Sequence, residues 1–381
     1  MAAGMSADLM AAALFAFAVG AWIARRDLPG GLALEIAILK AAIPFAYFAW
    51  FFQRTWTFLD DYEYLRIGGA VLNGGLDPVT ALFTERGLTK LFSLSGSRHI
   101  LYGWWNVLGQ WLFGSHYYAP VFLNVALTFA CGAFLVRIAQ RVGFSRSYRR
   151  LFLVFFLLHW DVIAWSSFTN LKDILMMTLT MGNLLSVYRL RERFTLPRLG
   201  LLLGGILAVS FLRFYAVLFL IAAAGLWIFF AGRFRGRWLI AAAAVAVAAP
   251  AFPWVLGHLG SVSPTAVPMG LIRFPLTPQP WSVAEGKDFL IVPATLHWLL
   301  YAPALLGGVL LWRRAPASRL VLIYGVVVIL AYAATPLLQG VRQRVQLIPI
   351  FAWLQFHFAW EIARDILVRA RGRATRLQAA T

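Results

Sequence analysis

Long apolar runs are the feature of this sequence that most constrains its fold. Several reach about 18 residues or more, the length at which a helix crosses the hydrocarbon core of a bilayer. Hydrophobic residues make up 61% of the 381-residue chain and charged residues 13%, whereas soluble proteins average about 45–50% apolar and about 25% charged residues. A soluble protein of this length could not bury so much apolar surface. We therefore predict an all-α polytopic membrane protein.

The apolar runs predict about eleven transmembrane helices. The run at 199–230 is too long for one span at about 1.5 Å per residue, so we divide it into two short helices around Arg213. The spans or their halves are placed at 9–24, 32–52, 118–136, 151–171, 172–188, 199–230, 239–256, 293–312, 320–334 and 347–362. They form one predicted transmembrane domain over residues 1–363, followed by a basic cytoplasmic tail at 364–381.

Two polar loops interrupt the spans, at 53–99 and 257–292. In the first loop we expect an amphipathic helix from Asp61 to Leu72, because Asn73-Gly74-Gly75 is a strong stop signal. The following segment, 100–113, is rich in tryptophan and tyrosine, which accumulate at membrane interfaces. We therefore predict that this segment lies at the interface.

Arginines are concentrated in short loops on one side of the membrane. The formal net charge is +19, and the basic clusters lie at 25–26, 137–150, 189–198, 233–237, 313–319 and 364–376. The positive-inside rule makes that side cytoplasmic and explains the charge without a nucleic-acid partner. The rule places both polar loops, Lys172, Arg213, Arg342 and Arg344 on the outer side, and we expect a bacterial inner (plasma) membrane protein.

Cysteine usage and the N-terminus add two expectations. The single cysteine, Cys131, excludes an intrachain disulfide and a cysteine-based metal site. The first apolar run lacks the basic region and cleavage site of a signal peptide, so we expect it to be retained.

The acidic cluster in the first outer loop is the leading catalytic candidate. Asp60 and Asp61 are adjacent, and Glu63 follows. Repulsion between neighbouring carboxylates can raise one pKa into the range of a general base. The pair could also hold a divalent cation such as Mg²⁺ or Mn²⁺ through oxygen ligands. The alternative is a capping box formed by Asp60 and Glu63 at the start of a helix.

Basic residues on the outer side are candidates for binding an anion. Asn170-Leu171-Lys172-Asp173 opens a helix, and a helix N-terminus with a lysine favours phosphate. A cap with a snorkelling lysine is the alternative. Arg342 and Arg344 could bind phosphate or anchor the helix at the interface. The predicted substrate-binding set is Tyr64, His99, Asn170, Lys172, Asp173, Arg213, Arg342 and Arg344.

Known nucleotide and hydrolase motifs are absent from the sequence. There is no Walker A motif, no GxGxxG opening a helix after a strand, no HExxH and no GxSxG. ATP-driven transport and metalloprotease chemistry therefore have no local support.

Four short motifs together resemble the membrane-embedded GT-C type glycosyltransferases, and most nearly the protein mannosyltransferase and aminoarabinose transferase group. These motifs are Asp60-Asp61-Tyr62-Glu63-Tyr64, the stretch from Trp165-Ser166-Ser167 to Lys172-Asp173, Leu112-Phe113-Gly114, and Arg342-Gln343-Arg344 followed by Pro349. Two departures are an extra span before the acidic loop and the lack of a large outer domain after the last span.

The resemblance implies an inverting transfer of one sugar on the outer face of the membrane, for synthesis of a cell-envelope glycan or glycolipid. The donor would be a polyprenyl-phosphate sugar, and the acceptor a hydroxyl of a glycan, lipid or protein. Asp60 or Asp61 would deprotonate that hydroxyl, and the basic residues would bind the donor phosphate. No cofactor is required, apart from the divalent cation left open above.

Two other functions remain open from the sequence. A polysaccharide polymerase or ligase would use the same cationic site with a less essential acidic pair. A flippase of lipid-linked sugars or a secondary transporter would need inverted repeats and broken helices. No internal repeat is clear, and the broken run at Arg213 is the feature that favours a flippase or transporter. A scaffold without activity is the remaining alternative.

Overall fold

The chain folds into helices joined by turns and short loops. The computed structural model describes residues 6–54, 56–96, 99–231, 238, 264–283, 285–335 and 339–378, and this part of the chain contains no strand. The predicted span 239–256 and the arginines at 233–237 lie outside the described residues. The all-α prediction is confirmed for the part that is described.

Four helices are long and apolar enough to cross a membrane. They are Ala7–Ala24, Gly30–Phe51, Tyr118–Val142 and Pro316–Ala333. Two further pairs pass the same test together but are bent, by 46° for Arg146–Leu157 with Trp160–Ser167 and by 51° for Asp288–Leu299 with Tyr301–Arg314. The described residues therefore hold four to six candidate spans. This count is below the predicted eleven because one predicted span lies outside the described residues and other apolar runs fold as helices that are too short or too polar for the same test.

The helices are numbered here in chain order. The first nine are α1 (Ala7–Ala24), α2 (Gly30–Ala46), α3 (Leu59–Leu72), α4 (Pro78–Phe83), α5 (Glu85–Ser95), α6 (Ile100–Phe113), α7 (Tyr118–Val142), α8 (Arg146–Leu157) and α9 (Trp160–Ser167). The next nine are α10 (Asp173–Glu192), α11 (Leu196–Ser210), α12 (Ala216–Ala231), α13 (Val267–Arg273), α14 (Ile291–Leu299), α15 (Tyr301–Arg314), α16 (Arg319–Ala333), α17 (Val341–Arg344) and α18 (Ile348–Gln378). A π-helical turn, Tyr47–Phe51, extends α2.

Helix α7 forms the centre of the bundle. It contacts α1, α2, α6, α8, α9 and α10, and its middle is buried on nearly every side. A helix that is apolar around its whole circumference is stable only when it is surrounded by other helices or lipid. Helix α3 packs against α6 beside this centre, so the acidic loop is fixed to the core of the protein.

Two local predictions agree with the described helices. Helix α3 ends at Leu72 before Asn73. The segment 100–113 forms one helix, α6, and its position at the membrane interface stays a prediction. The run at 199–230 breaks where we placed the break, since α11 ends at Ser210 and α12 begins at Ala216. The last helix, α18, continues through the predicted boundary between residues 363 and 364.

Candidate active site

The N-terminus of α3 separates the two adjacent aspartates. Phe58 is the N-cap residue, which makes Asp61 the third residue of the helix. One carboxylate oxygen of Asp61, Oδ2, accepts hydrogen bonds from the backbone N–H of Phe58 at 3.2 Å and from the hydroxyl of Tyr117 at 2.6 Å. The predicted capping box of Asp60 and Glu63 is therefore wrong. Glu63 instead forms an exposed ion pair with Arg66.

Asp61 is a buried group whose contacts are structural. Its side chain has no exposed surface, and its Oδ1 atom has no hydrogen-bond partner among the described residues. Burial raises the pKa of Asp61 to about 7, although the hydrogen bonds from Tyr117 and Phe58 act in the opposite direction. No acceptor hydroxyl from outside could reach this carboxylate without moving Tyr117 or Phe58.

Asp60 is the aspartate that solvent can reach. Its side chain is 46% exposed, and its Oδ2 accepts a 2.6 Å hydrogen bond from Nη1 of Arg342. Burial alone would raise the pKa of Asp60, but the hydrogen bond and the charge of Arg342 hold that pKa below its usual value. In the described arrangement Asp60 is thus ionised at neutral pH and is the available carboxylate of the pair.

Arg342 also contacts a second, buried aspartate, Asp173. Its Nε lies 3.4 Å from Oδ2 of Asp173, and Oδ1 of the same aspartate accepts a 2.5 Å hydrogen bond from Nη2 of Arg213. Asp173 and Arg213 are both buried. A buried arginine requires a partner, because an unpaired buried charge costs about 3–5 kcal/mol. The partner is Asp173, which we predicted as a substrate-binding residue.

Lys172 lies beside this chain of charges without a carboxylate in hydrogen-bond contact among the described residues. Its Nζ is 2.7 Å from Nε2 and 2.8 Å from Nδ1 of His99, and Nδ1 of that histidine is also 2.8 Å from the carbonyl oxygen of Leu212. A neutral imidazole can donate from Nδ1 to this carbonyl, which leaves Nε2 as the acceptor for Lys172. Burial and the nearby Lys172 lower the pKa of His99 to about 4, so His99 is neutral.

Tyr64 connects the lysine to the exposed aspartate. Nζ of Lys172 lies 5.7 Å from the centre of the Tyr64 ring, and the Tyr64 hydroxyl is 3.5 Å from Oδ2 of Asp60. The predicted lysine cap is not formed by a side chain, since Lys172 is the N-cap residue of α10 and makes no capping hydrogen bond with its side chain. Lys172 instead points to the same site as Asp60.

Asn170 holds the turn before α10 against α3. Its Nδ2 donates to the backbone oxygen of Asp61 at 3.0 Å and to Oδ1 of Asn106 at 2.8 Å, and its Oδ1 accepts from the hydroxyl of Tyr102 at 2.8 Å. All these groups are buried. A fully satisfied buried network rigidifies the elements that it joins. Asn170 therefore fixes the position of Lys172 relative to Asp60 and does not itself face the open side of the site.

Arg344 belongs to a different cluster from Arg342. Its guanidinium donates to Oδ1 of Asp161 at 2.7 Å, with both side chains 1% exposed, and Nδ1 of His297 lies 3.9 Å from the same carboxylate. Arg344 and Arg342 are two residues apart on the single turn of α17, so their side chains point to different sides. The structure therefore separates two arginines that the sequence had grouped.

Tyr117, Asp161 and His297 are site-supporting residues that we did not predict. Asp161 had a readable signal, because a carboxylate within an apolar run is a functional hypothesis by default. Tyr117 had none: an aromatic residue at the start of a span is common. Its role depends on a contact with Asp61, which is 56 residues away in sequence.

The predicted divalent cation has no further ligands in the described part of the chain. No group of three or more histidine, cysteine, aspartate or glutamate residues converges there. Asp60 and Asp61 are bound to Arg342 and Tyr117, respectively. A metal at the acidic pair therefore remains a prediction.

The sequence matches no protein-family model, and comparisons with curated proteins and with solved structures find no significant similarity. The function is therefore argued from the geometry of the site.

Proposed function

We propose that the protein is an inverting glycosyltransferase that moves a sugar from a polyprenyl-phosphate donor to an acceptor hydroxyl. One observation carries the proposal. An ionised, half-exposed carboxylate, Asp60, is bonded to Arg342 beside a lysine, Lys172, that contacts only a neutral histidine at hydrogen-bond distance among the described residues. A base and a binding site for an anion thus lie together.

The donor phosphate would bind between Lys172 and Arg342. A phosphate bound against the buried Lys172 side chain would favour its charged ammonium form, and an arginine fork matches phosphate oxygens. Lys172 uses one donor on His99 and can offer others. Arg213 is held by Asp173, so its role in this proposal is to support the position of Asp173 and through it Arg342.

Phosphate binding would also release the base. Arg342 is shared by Asp60 and Asp173, so a phosphate that binds Arg342 competes with Asp60 for it. Without that partner the pKa of Asp60 would rise, because the hydrogen bond and charge that lower it are lost. Asp60 would then become a stronger base when the donor is in place.

The chemistry would be a single displacement. Asp60 takes the proton of the acceptor hydroxyl, the acceptor oxygen forms a bond to the anomeric carbon, and the bond from that carbon to the phosphate oxygen breaks. Polyprenyl phosphate leaves with its extra negative charge stabilised by Lys172 and Arg342. Asp61 would hold the helix start that presents Asp60.

The finer architectural predictions form part of the same proposal. These are a GT-C-like fold with about eleven spans, the site on the outer face of a bacterial inner membrane, and a cytoplasmic C-terminus. The arginine clusters support that orientation. Helix α10, which has 20 residues, and the shorter α11 and α12 would supply spans beyond those that meet the length and hydropathy criteria.

The test uses the full chain in lipid nanodiscs with a polyprenyl-phosphate sugar and an acceptor that carries free hydroxyl groups, and it measures donor consumption and donor binding separately. We expect the wild type to bind and consume the donor, and Lys172→Gln to weaken donor binding by tenfold or more, as loss of a charged hydrogen bond should (about 1.4 kcal/mol per factor of ten). Lys90→Gln, which changes a lysine of α5 outside the site, is the matched control.

If the wild type neither binds nor consumes any such donor, the glycosyltransferase proposal is wrong. Transport of a donor between leaflets without its consumption would instead favour a flippase, for which the broken helix pair α11 and α12 is the structural argument.

A further inference from the structure

A cavity lies beside the candidate active site. Its volume is about 370 Å³, within the size range of small-molecule sites. The described residues that line it with polar side chains are Arg273, Thr277, Gln279, Ser282 and Lys287. They come from the end of α13 and from the segment that follows it.

The cavity shares a wall with the site of Asp60. Gly340 and Val341, which line the cavity, directly precede Arg342. The ring of Phe58 also connects the two sites: Nζ of Lys287 lies 4.4 Å from the ring centre, and the guanidinium carbon of Arg342 lies 5.9 Å from it. A ligand in the cavity would therefore sit next to the base.

The lining has an excess of positive charge. Arg273 and Lys287 are basic, and none of the described lining residues is acidic. The two carboxylates nearest in sequence, Glu285 and Asp288, are exposed and do not line the cavity. The only hydrogen-bond partner that the described residues give to the Arg273 guanidinium is the neutral amide of Gln339, through Nε and Nη2. Its Nη1 atom has no hydrogen-bond partner in the described part of the chain and, because Arg273 is exposed, is accessible to a ligand.

The neutral polar groups of the lining fit a ligand with hydroxyls. Thr277 Oγ1 donates to the carbonyl of Arg273, and Ser282 Oγ donates to that of Gln279. Each hydroxyl oxygen therefore retains acceptor capacity. Gln279 adds an amide that can donate and accept. The combination suits a polyhydroxylated ligand with a negative charge.

We propose that this cavity binds the acceptor, and that the acceptor is an anionic sugar bearing a phosphate or a carboxylate. The inference rests on the proposed function and names its acceptor class. The donor phosphate would use Lys172 and Arg342, so a second cationic cavity beyond Phe58 is available to the other substrate. Asp60 then lies between the two substrates, where a base for the acceptor hydroxyl must be.

The experiment measures binding of glucose 6-phosphate, glucuronic acid and glucose to the full chain in nanodiscs, with and without saturating geranyl phosphate as an occupant of the donor phosphate site. We expect the two anionic sugars to bind at least tenfold more tightly than glucose, and geranyl phosphate to leave that preference intact. Lys287→Gln and Arg273→Gln should each reduce the preference about tenfold and leave geranyl phosphate binding unchanged. Arg86→Gln, an exposed arginine of α5, is the control.

Each outcome distinguishes this inference from the proposed function. Equal binding of anionic and neutral sugars by the wild type, or an unchanged preference in both variants, overturns the acceptor site. Loss of the preference when geranyl phosphate is added shows that the sugars occupy the donor site and also overturns it. Failure of the wild type to bind geranyl phosphate counts against the proposed function, while a preference that depends on Lys287 would still support an anion site in the cavity.

Discussion

Replacing Asp60 by asparagine should separate donor binding from turnover. In the structure Asp60 occupies Nη1 of Arg342, the group that the donor phosphate would need. The Asp60 side chain is 46% exposed and that of Arg342 is 17% exposed, so solvent screening limits the coupling to about 1 kcal/mol. Removing the carboxylate charge should therefore strengthen binding of geranyl phosphate about fivefold.

Turnover should change in the opposite direction. Loss of a general base typically lowers the rate by about 10²–10⁴-fold, and Asp61 cannot replace Asp60 because it is buried behind Tyr117. Geranyl phosphate binding and single-turnover transfer from a polyprenyl-phosphate sugar would be measured on the same nanodisc preparation. Arg66→Gln is a matched control on the exposed side of α3. Weaker binding in Asp60→Asn, or turnover near the wild-type rate, would refute the proposed competition and the assignment of the base.

Three further predictions concern stability. Arg344→Gln or Asp161→Asn leaves one buried charge unpaired and should destabilise the protein by about 3–5 kcal/mol. In thermal unfolding, the double variant should lose less stability than the sum of the losses in the two single variants. Burial raises the pKa of Asp61 from 3.8 to about 7, so the native state holds an extra proton between these values and stability should fall as pH rises across them, by at most about 4 kcal/mol. Asp61→Asn should make the melting temperature depend less on pH in this range. An unchanged pH dependence would mean that other groups cause it. Gly307→Ala forces a methyl group against the backbone of the last helix, whereas the methyl group of Gly308→Ala meets only ordinary side-chain contact. We expect Gly307→Ala to lower the free energy of unfolding by about 1–3 kcal/mol and Gly308→Ala to lower it little. Equal melting temperatures of the two variants would contradict this.

The local features of the site could be predicted because they depend on neighbouring residues. The stop at Asn73-Gly74-Gly75 and the break around Arg213 follow from residue type and from the length of the apolar run. Both agree with the described helices. The capping box was predicted at the wrong residues, because the helix begins at Leu59 and makes Asp61 the third residue. The helix starts two residues earlier than predicted, and this shift gives the N3 position to Asp61 instead of Glu63.

The span count depended on more than the apolar runs. Hydropathy finds apolar stretches but not where they bend, and the bent pairs α8 with α9 and α14 with α15 each occupy one such stretch. Buried polar groups such as Asp161 sit within these stretches. Packing against other helices supplies their partners, which a window of sequence cannot show.

The sequence by itself determined the helical fold and the apolar segments that are long enough to span a membrane. Those properties follow from composition and from the lengths of the apolar runs. The sequence also pointed to Asp60, Lys172 and Arg342, but not to Tyr117 or Asp161. Only the tertiary structure decided that Asp60 is reachable while Asp61 is buried, and that Arg342 joins Asp60 while Arg344 joins Asp161. Asp60 and Arg342 are 282 residues apart in sequence. Their contact depends on the packing of α3, α10 and α17 around shared buried partners, and no local pattern encodes it.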